Sequence, residues 1–115
     1  MVVDDNRDAA NTLATLLQSG GHDVTVAYSP HDALQRFQHE KPAVLFIDIG
    51  LPDIDGCEVA RRLRAMPGGR GLKLVALTGY GQPADQARSR EAGFDCHLIK
   101  PANPSEVLRL VAGLA

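Results

Sequence analysis

Ala43-Val44-Leu45-Phe46-Ile47-Asp48 is the stretch from which the architecture of this chain can be worked out. Five apolar residues run without interruption into one carboxylate, which is typical of a strand buried on both faces of a parallel sheet. Residues 49–56 mix turn formers with apolar residues, so we expect the strand to end near Asp48. A carboxylate at the carboxyl end of such a strand lies where open α/β sheets bind ligands. The simpler alternative is that Asp48 only caps the following loop.

Short apolar runs and helical segments alternate along the rest of the chain. Four more strands are predicted at Met1–Val3, Val24–Ala27, Leu72–Leu77 and Cys96–Ile99. Helix start signals at Asn6, Ser29-Pro30, Asp55-Gly56, Pro83 and Asn103-Pro104 predict one helix after each strand. This alternation predicts a single α/β domain, residues 1–115, with a parallel sheet and helices on both faces. The first strand is shorter than usual, so we expect it to be truncated at its N-terminus.

Composition narrows the classes of function. The chain has 115 residues, enough for one hydrophobic core, and its net charge of −2 gives no basic surface for direct nucleic acid binding. No apolar run is long enough to insert into a membrane, and no signal peptide opens the chain. Cys57 and Cys96 form no Cys-x-x-Cys pair, so we interpret them as reduced thiols of a cytoplasmic protein.

Every predicted strand except the second leads into a reactive or hydrogen-bonding side chain. These residues are Asp4-Asp5, Asp48, Thr78 and Lys100. Each alone has a simpler interpretation, as a helix cap, a turn former or a solvated charge. Because the carboxyl ends of parallel strands lie at one edge of the sheet, we expect all of them to meet there.

The chemistry of this set points to phosphoryl transfer. Crowded carboxylates must be protonated, paired or bound to a metal, and Mg²⁺ prefers their hard oxygens. A carboxylate beside Mg²⁺ can attack a phosphoryl group and form an aspartyl phosphate. The charge of Lys100 would offset the charge on the transferred oxygens, and the hydroxyl of Thr78 could donate to one of them.

The joint motif resembles the receiver domain of two-component response regulators over nearly the whole chain. The matching residues are Asp4-Asp5, Asp48 with Leu51-Pro52 and Asp55-Gly56, Thr78-Gly79, and Lys100-Pro101. The resemblance implies a flavodoxin-like fold, a five-stranded parallel sheet in the order 2-1-3-4-5. It also implies that Asp48 is the phosphoacceptor.

The family's metal ligands can be carried over residue by residue. Asp5 and Asp48 would bind Mg²⁺ (or Mn²⁺) directly, Asp4 would act mostly through water, and Gly50 would offer its backbone carbonyl. Thr78 and Lys100 would contact the phosphoryl group. The bond before Pro101 would be cis, as in many tight functional turns.

His97 departs from the family pattern. The family often has Tyr or Phe three residues before the lysine, as a rotamer switch coupled to the threonine. His97 is equally well interpreted as a half-exposed strand residue, and an imidazole there could also respond to pH.

The implied function is phosphorelay signalling. A histidine kinase or histidine phosphotransfer domain would phosphorylate Asp48, and Thr78 would then bias residues 80–92 between two arrangements. The amino-acid sequence of the second half is similar to that of receivers attached to hybrid sensor histidine kinases, which suggests that this chain is a module of a larger protein. Such a domain catalyses its own phosphorylation and dephosphorylation but mainly signals, so its status as an enzyme is left open. A homodimer through the fourth helix, fifth strand and fifth helix is also consistent with the resemblance.

Other classes of protein fit the residues less well. A pseudo-receiver would keep the fold but never be phosphorylated, and the complete set of acids, Thr78 and Lys100 argues against it. A hydrolase with an Asp nucleophile usually has a second acid two residues later, where this chain has Gly50. A nucleotide- or flavin-binding domain is disfavoured because the loop after the first strand is acidic and lacks a glycine-rich phosphate cradle.

Overall fold

The apolar runs of the sequence form the strands of one sheet in a computed structural model, which describes residues 1–49, 56–78, 90–100 and 103–114. In these residues the elements are β1 (Val2–Val3), α1 (Arg7–Ser19), β2 (Val26–Ala27), α2 (Pro30–Glu40), β3 (Val44–Asp48), α3 (Gly56–Ala65), β4 (Lys73–Thr78), β5 (Cys96–Ile99) and α4 (Pro104–Leu114). The helix predicted from Pro83 lies outside the described residues except at its end, where residues 90 and 91 are helical.

All neighbouring strands are parallel, and their order is β2-β1-β3-β4-β5. This confirms the predicted fold. Val3 pairs with Ile47, Asp48 pairs with Leu77, and Thr78 pairs with Ile99, so β1, β3, β4 and β5 end close to one another. The polar residues that end or follow these four strands are therefore brought to one edge of the sheet.

Residues of β3 alternate between two hydrophobic cores. Leu45 and Ile47 pack on the face covered by α2 and α3, and Phe46 packs on the face covered by α1 and α4. Each of these three side chains is at most 2% exposed. Burying a side chain of this size contributes about 1.5–3 kcal/mol, so the strand that carries Asp48 is held from both sides.

Side-chain caps start the helices where the sequence predicts. The Asn6 side chain accepts a hydrogen bond from the backbone N–H of Ala9, and Ser29 accepts one from that of Asp32. Asn103 does the same for α4, accepting from Ser105 at 2.9 Å. These bonds satisfy N–H groups that have no partner within the helix.

Small differences from the predicted elements occur at edges and faces. β2 begins at Val26 rather than Val24, because it is the outermost strand and pairs with β1 alone. The helical spacing of Ala9, Ala10, Leu13, Leu16 and Leu17 predicts the inward face of α1, but Ala9 and Leu16 are only partly buried and Ala14 is buried as well. Within the described ranges, no helix is both long enough and apolar enough to cross a bilayer.

Candidate functional site

Lys100 joins two of the predicted acids at the carboxyl edge of the sheet. Its Nζ atom donates to Oδ2 of Asp48 at 2.8 Å and to Oδ2 of Asp4 at 2.9 Å. The backbone N–H of Lys100 also donates to the carbonyl of Thr78 at 2.7 Å. Residues that end or follow β1, β3 and β5 thus meet at a single ammonium group, and the last residue of β4 is bonded to the backbone of the same lysine.

The two carboxylates keep Lys100 charged in a partly buried position. Burial alone would lower the pKa of this ammonium group, but the hydrogen bonds and charges of Asp48 and Asp4 outweigh it. The pKa of Lys100 is therefore raised above its ordinary value. At neutral pH the ammonium group is a fixed positive charge between Asp48 and Asp4.

Asp4 is the buried member of the acidic set. It is 2% exposed, because it directly follows Val2 and Val3 of β1, which are wholly buried. Both of its oxygens are used: Oδ2 accepts from Lys100, and Oδ1 accepts from the backbone N–H of Asn6 at 3.0 Å. A buried carboxylate needs such partners to offset its desolvation.

The sequence does not predict the link between Lys100 and Asp4, because the family resemblance implies only that Lys100 pairs with Asp48 or contacts the phosphoryl group. The signal that could have revealed it is the position of Asp4 directly after a buried strand. A carboxylate in that position needs a nearby cation.

The acids can hold a divalent cation. Asp4, Asp5 and Asp48 each offer one carboxylate oxygen, and these oxygens all lie within 4.8 Å of one another. Three ionised carboxylates against the single ammonium group of Lys100 leave two negative charges. Oxygen ligands with this charge suit Mg²⁺, which needs few protein groups and keeps several waters.

Asp5 differs from the other two acids in exposure and in contacts. It is exposed, and among the described residues its carboxylate makes no hydrogen bond or ion pair. In Asp4 both oxygens are occupied, and in Asp48 Oδ2 is held by Lys100. Asp5 is therefore the acid most open to a direct metal bond.

Thr78 and His97 lie on the neighbouring strands β4 and β5. Thr78 is 3% exposed, and Leu77 beside it accepts a hydrogen bond from Ile49, the residue after Asp48. This bond ties the ends of β3 and β4 together. His97 pairs with Ala76 and is half-buried, which fits the interpretation as a strand residue, while its switching role stays a prediction.

Three predicted features fall outside the described residues. They are the carbonyl of Gly50, the segment around Tyr80 and the bond before Pro101.

A cavity of about 360 Å³ lies at the opposite, amino-terminal edge of the sheet. Its lining includes Lys41, Pro42, Pro67 and Leu72, and no carboxylate. Because it is remote from the acids and brings together no reactive groups, it does not compete with them as a candidate site.

Comparison with known proteins agrees with this geometry. The family described as "Response regulator receiver domain" matches residues 1–112. An uncharacterised 14.6 kDa protein of Leptolyngbya boryana is 38% identical over 96% of this chain and 85% of its own length. The alkaline phosphatase synthesis transcriptional regulatory protein PhoP of Bacillus subtilis is 33% identical over 93% of this chain, which spans only 44% of PhoP.

Two solved structures share the fold. A putative response regulator of Chloroflexus aurantiacus is similar with a TM-score of 0.92 and 33% identity, over 98% of this chain and 93% of its own. The receiver domain of a sensor histidine kinase of Pseudomonas aeruginosa gives a TM-score of 0.89 and 26% identity, over 98% of this chain and 93% of its own. That structure contains a magnesium ion coordinated in the active site cleft.

Proposed function

Because this chain belongs to the response regulator receiver domain family and so serves in phosphorelay signalling, we propose that Asp48 accepts a phosphoryl group from a phosphohistidine in a Mg²⁺-dependent reaction. The observation that carries the proposal is the bridge from Lys100 to Asp48 and Asp4, next to the open carboxylate of Asp5. It supplies a nucleophile, a cation and a metal-binding group within one small space.

The chemistry follows from these positions. A carboxylate oxygen of Asp48 attacks the phosphorus atom while the bond between phosphorus and the donor's imidazole nitrogen breaks, and the imidazole leaves with the electron pair. Lys100 fixes the carboxylate of Asp48 through Oδ2 and offsets negative charge on the transferred oxygens. A Mg²⁺ ion held by Asp5 and Asp48 would supply further positive charge to the phosphoryl transfer. The hydroxyl of Thr78, which ends the adjacent strand, donates to one of the transferred oxygens.

The acids bind the metal in different ways because they differ in burial. Asp5 binds the ion directly since its carboxylate is exposed and open, and Asp4 acts through water since its two oxygens already have partners. Asp48 and the carbonyl of Gly50 complete the protein ligands.

The donor of the phosphoryl group is a histidine kinase or a histidine phosphotransfer domain, and the domain works in the cytoplasm. Phosphorylation draws Thr78 toward the new charge and biases residues 80–92 between two arrangements, which exposes or hides a surface for a partner. His97 is a further switch residue, and the bond before Pro101 is cis. This domain itself does not bind nucleic acid or insert into membranes. A hybrid kinase is one fitting parent protein, and the helix predicted from Pro83 together with β5 and α4 is a fitting homodimer surface.

Phosphorylation with a small donor tests the proposal. Incubation with acetyl phosphate and Mg²⁺ is expected to add the mass of one phosphoryl group to the intact chain, measured by mass spectrometry. Chelation of the metal or Asp48→Asn should abolish the gain. Asp23→Asn, which changes an exposed acid at the opposite edge, should leave it unchanged. No gain in the wild-type chain, or an equal gain in Asp48→Asn, would contradict the proposal.

A further inference from the structure

Gly56 lies unusually close to the main chain of Asp48. It is the first residue of α3, and its N–H donates to the carbonyl of Ile49 at 3.3 Å. A Cβ atom built on Gly56 would lie 2.5 Å from Cα of Ile49 and 2.8 Å from the carbonyl oxygen of Asp48. The first turn of α3 therefore rests directly on the last residues of β3.

This contact leaves no room for a side chain. Both atoms that a Cβ would meet belong to the backbone, so neither can rotate away, and the strand end or the helix would have to move. The strand is fixed by its bonds to β4, among them Ile49 N–H to the carbonyl of Leu77 at 3.1 Å. A methyl group at Gly56 would thus either push α3 away from the end of β3 or strain the bonds that hold this end to β4, and in both cases the residues next to Asp48 would lose their support.

We propose that Gly56 is a positioning residue for Asp48, because its missing side chain lets α3 hold the end of β3 at the distance from Asp4, Asp5 and Lys100 that metal binding requires. The inference rests on the proposed function and adds to it a residue that touches neither metal nor phosphoryl group. The hydrogen bond from Gly56 to Ile49 also joins the two residues that flank segment 50–55, which contains the predicted metal ligand Gly50.

The test compares two glycines, neither of which has room for a side chain. Gly69 lies in the loop after α3, at the opposite edge of the sheet, and a Cβ there would overlap the backbone carbonyl of Leu63. Gly56→Ala and Gly69→Ala should therefore both lower the thermal stability. Calorimetric titration with Mg²⁺, at a temperature where each variant is folded, separates positioning from stability.

We expect Gly56→Ala to weaken Mg²⁺ binding by about tenfold or more, as loss of support around a ligand does. Gly69→Ala should bind Mg²⁺ within about twofold of the wild type, since distant sites act independently. If Gly56→Ala is too unstable, both variants are repeated in a Gly113→Ala background, where the added methyl meets nothing within 4 Å.

Equal Mg²⁺ affinity in Gly56→Ala and the wild type would overturn the positioning role. So would a Gly56→Ala chain that stays unfolded in the Gly113→Ala background while Gly69→Ala folds, because Gly56 would then be needed for folding itself. A wild-type chain that binds no Mg²⁺ would overturn the proposed function, and the positioning role with it.

Discussion

At the residue scale, the site depends on how three acids share one cation. Lys100 contacts Asp4 and Asp48, which leaves the charge of Asp5 unbalanced beside two other carboxylates. Like charges in one place destabilise the folded state unless a metal or a proton offsets them. A residue that is needed for function is therefore expected to reduce stability here.

Asp5→Asn tests this balance. Removing one repelling charge should raise the free energy of unfolding without metal by up to about 1 kcal/mol. The same change should weaken Mg²⁺ binding by at least about tenfold, because the open carboxylate is lost. Urea unfolding with and without Mg²⁺ measures both effects, and Asp8→Asn, an exposed acid in the first turn of α1, is the control. An Asp5→Asn variant that is less stable and binds Mg²⁺ normally would disprove this division of roles.

In a chain that starts at Met1, the amino group of this residue makes stability depend on pH. It donates to the carbonyl of Val44 at 2.9 Å, and burial lowers its pKa from 8.0 to about 6. Between these values the unfolded chain holds a proton that the folded chain has lost, so a rise in pH favours folding. Below pH 6 the amine is protonated in both the folded and the unfolded state, so folding carries the full free-energy cost of burying its charge. Above pH 8 the amine is neutral in both states, and this cost is absent.

The 115-residue chain should therefore gain about 2 to 3 kcal/mol of stability from this amine between a pH below 6 and a pH above 8. A chain extended by two residues before Met1 carries an amide at this position and provides the reference. The difference between the two chains in urea unfolding isolates the amine. If both chains show the same pH dependence, the buried amine is not its cause.

At the element scale, Arg64 joins the end of α3 to two loops. Its guanidinium group donates to the carbonyls of Gly69 and Leu72 in the stretch between α3 and β4. It also donates to the carbonyl of Gly93 and to Asp95, just before β5, at 2.6 Å and 2.8 Å. Because a planar guanidinium carries five N–H donors, one side chain can satisfy all these acceptors.

Arg64→Met should lower the free energy of unfolding by about 2 kcal/mol, since several carbonyls lose a charged donor. Arg62→Met is the matched control on the same helix: that side chain is 53% exposed and, among the residues that the structure describes, pairs only with Glu58, at 3.3 Å. Such a pair contributes less than about 1 kcal/mol. Chemical denaturation measures the free energy of unfolding of both variants. Equal losses of this free energy would show that Arg64 does not join the loops.

Two glycines should respond to alanine with opposite signs. Gly113 lies within α4 with open space around it, so Gly113→Ala should stabilise the chain by about 0.5–1 kcal/mol. Gly21 follows α1 with a φ of 89°, a conformation that penalises any side chain. Gly21→Ala should destabilise by about 1 kcal/mol. Thermal unfolding measures both effects. A Gly21→Ala variant that is more stable than the wild type would contradict the positive φ of Gly21.

The ends of the elements were predictable where a side chain marks them. Asn6, Ser29 and Asn103 cap helices as expected, because capping depends on residues within a few positions of one another. The start of β2 was not predictable from Val24 onward, because the length of an edge strand depends on its partner β1, which is distant in sequence.

At the scale of the whole molecule, the meeting of Asp48, Thr78 and Lys100 was predictable from the amino-acid sequence. Alternating strands and helices require a parallel sheet, and a parallel sheet gathers its strand ends at one edge. The order of the strands came from the family resemblance, since alternation fits several orders. Burial of Asp4 and the contact of Gly56 with β3 depend on packing between distant elements, which no local pattern encodes.

The proposed function depends on Asp48 being the residue whose oxygen bonds to phosphorus, and one experiment identifies that residue. Acyl phosphates are reduced by borohydride, which converts a phosphorylated aspartate into homoserine. After treatment with acetyl phosphate, Mg²⁺ and borohydride, peptide mass spectrometry should find homoserine at position 48, and only when Mg²⁺ is present. Homoserine at another aspartate, or an unmodified Asp48 in a chain that has bound Mg²⁺, would contradict the proposed role of Asp48.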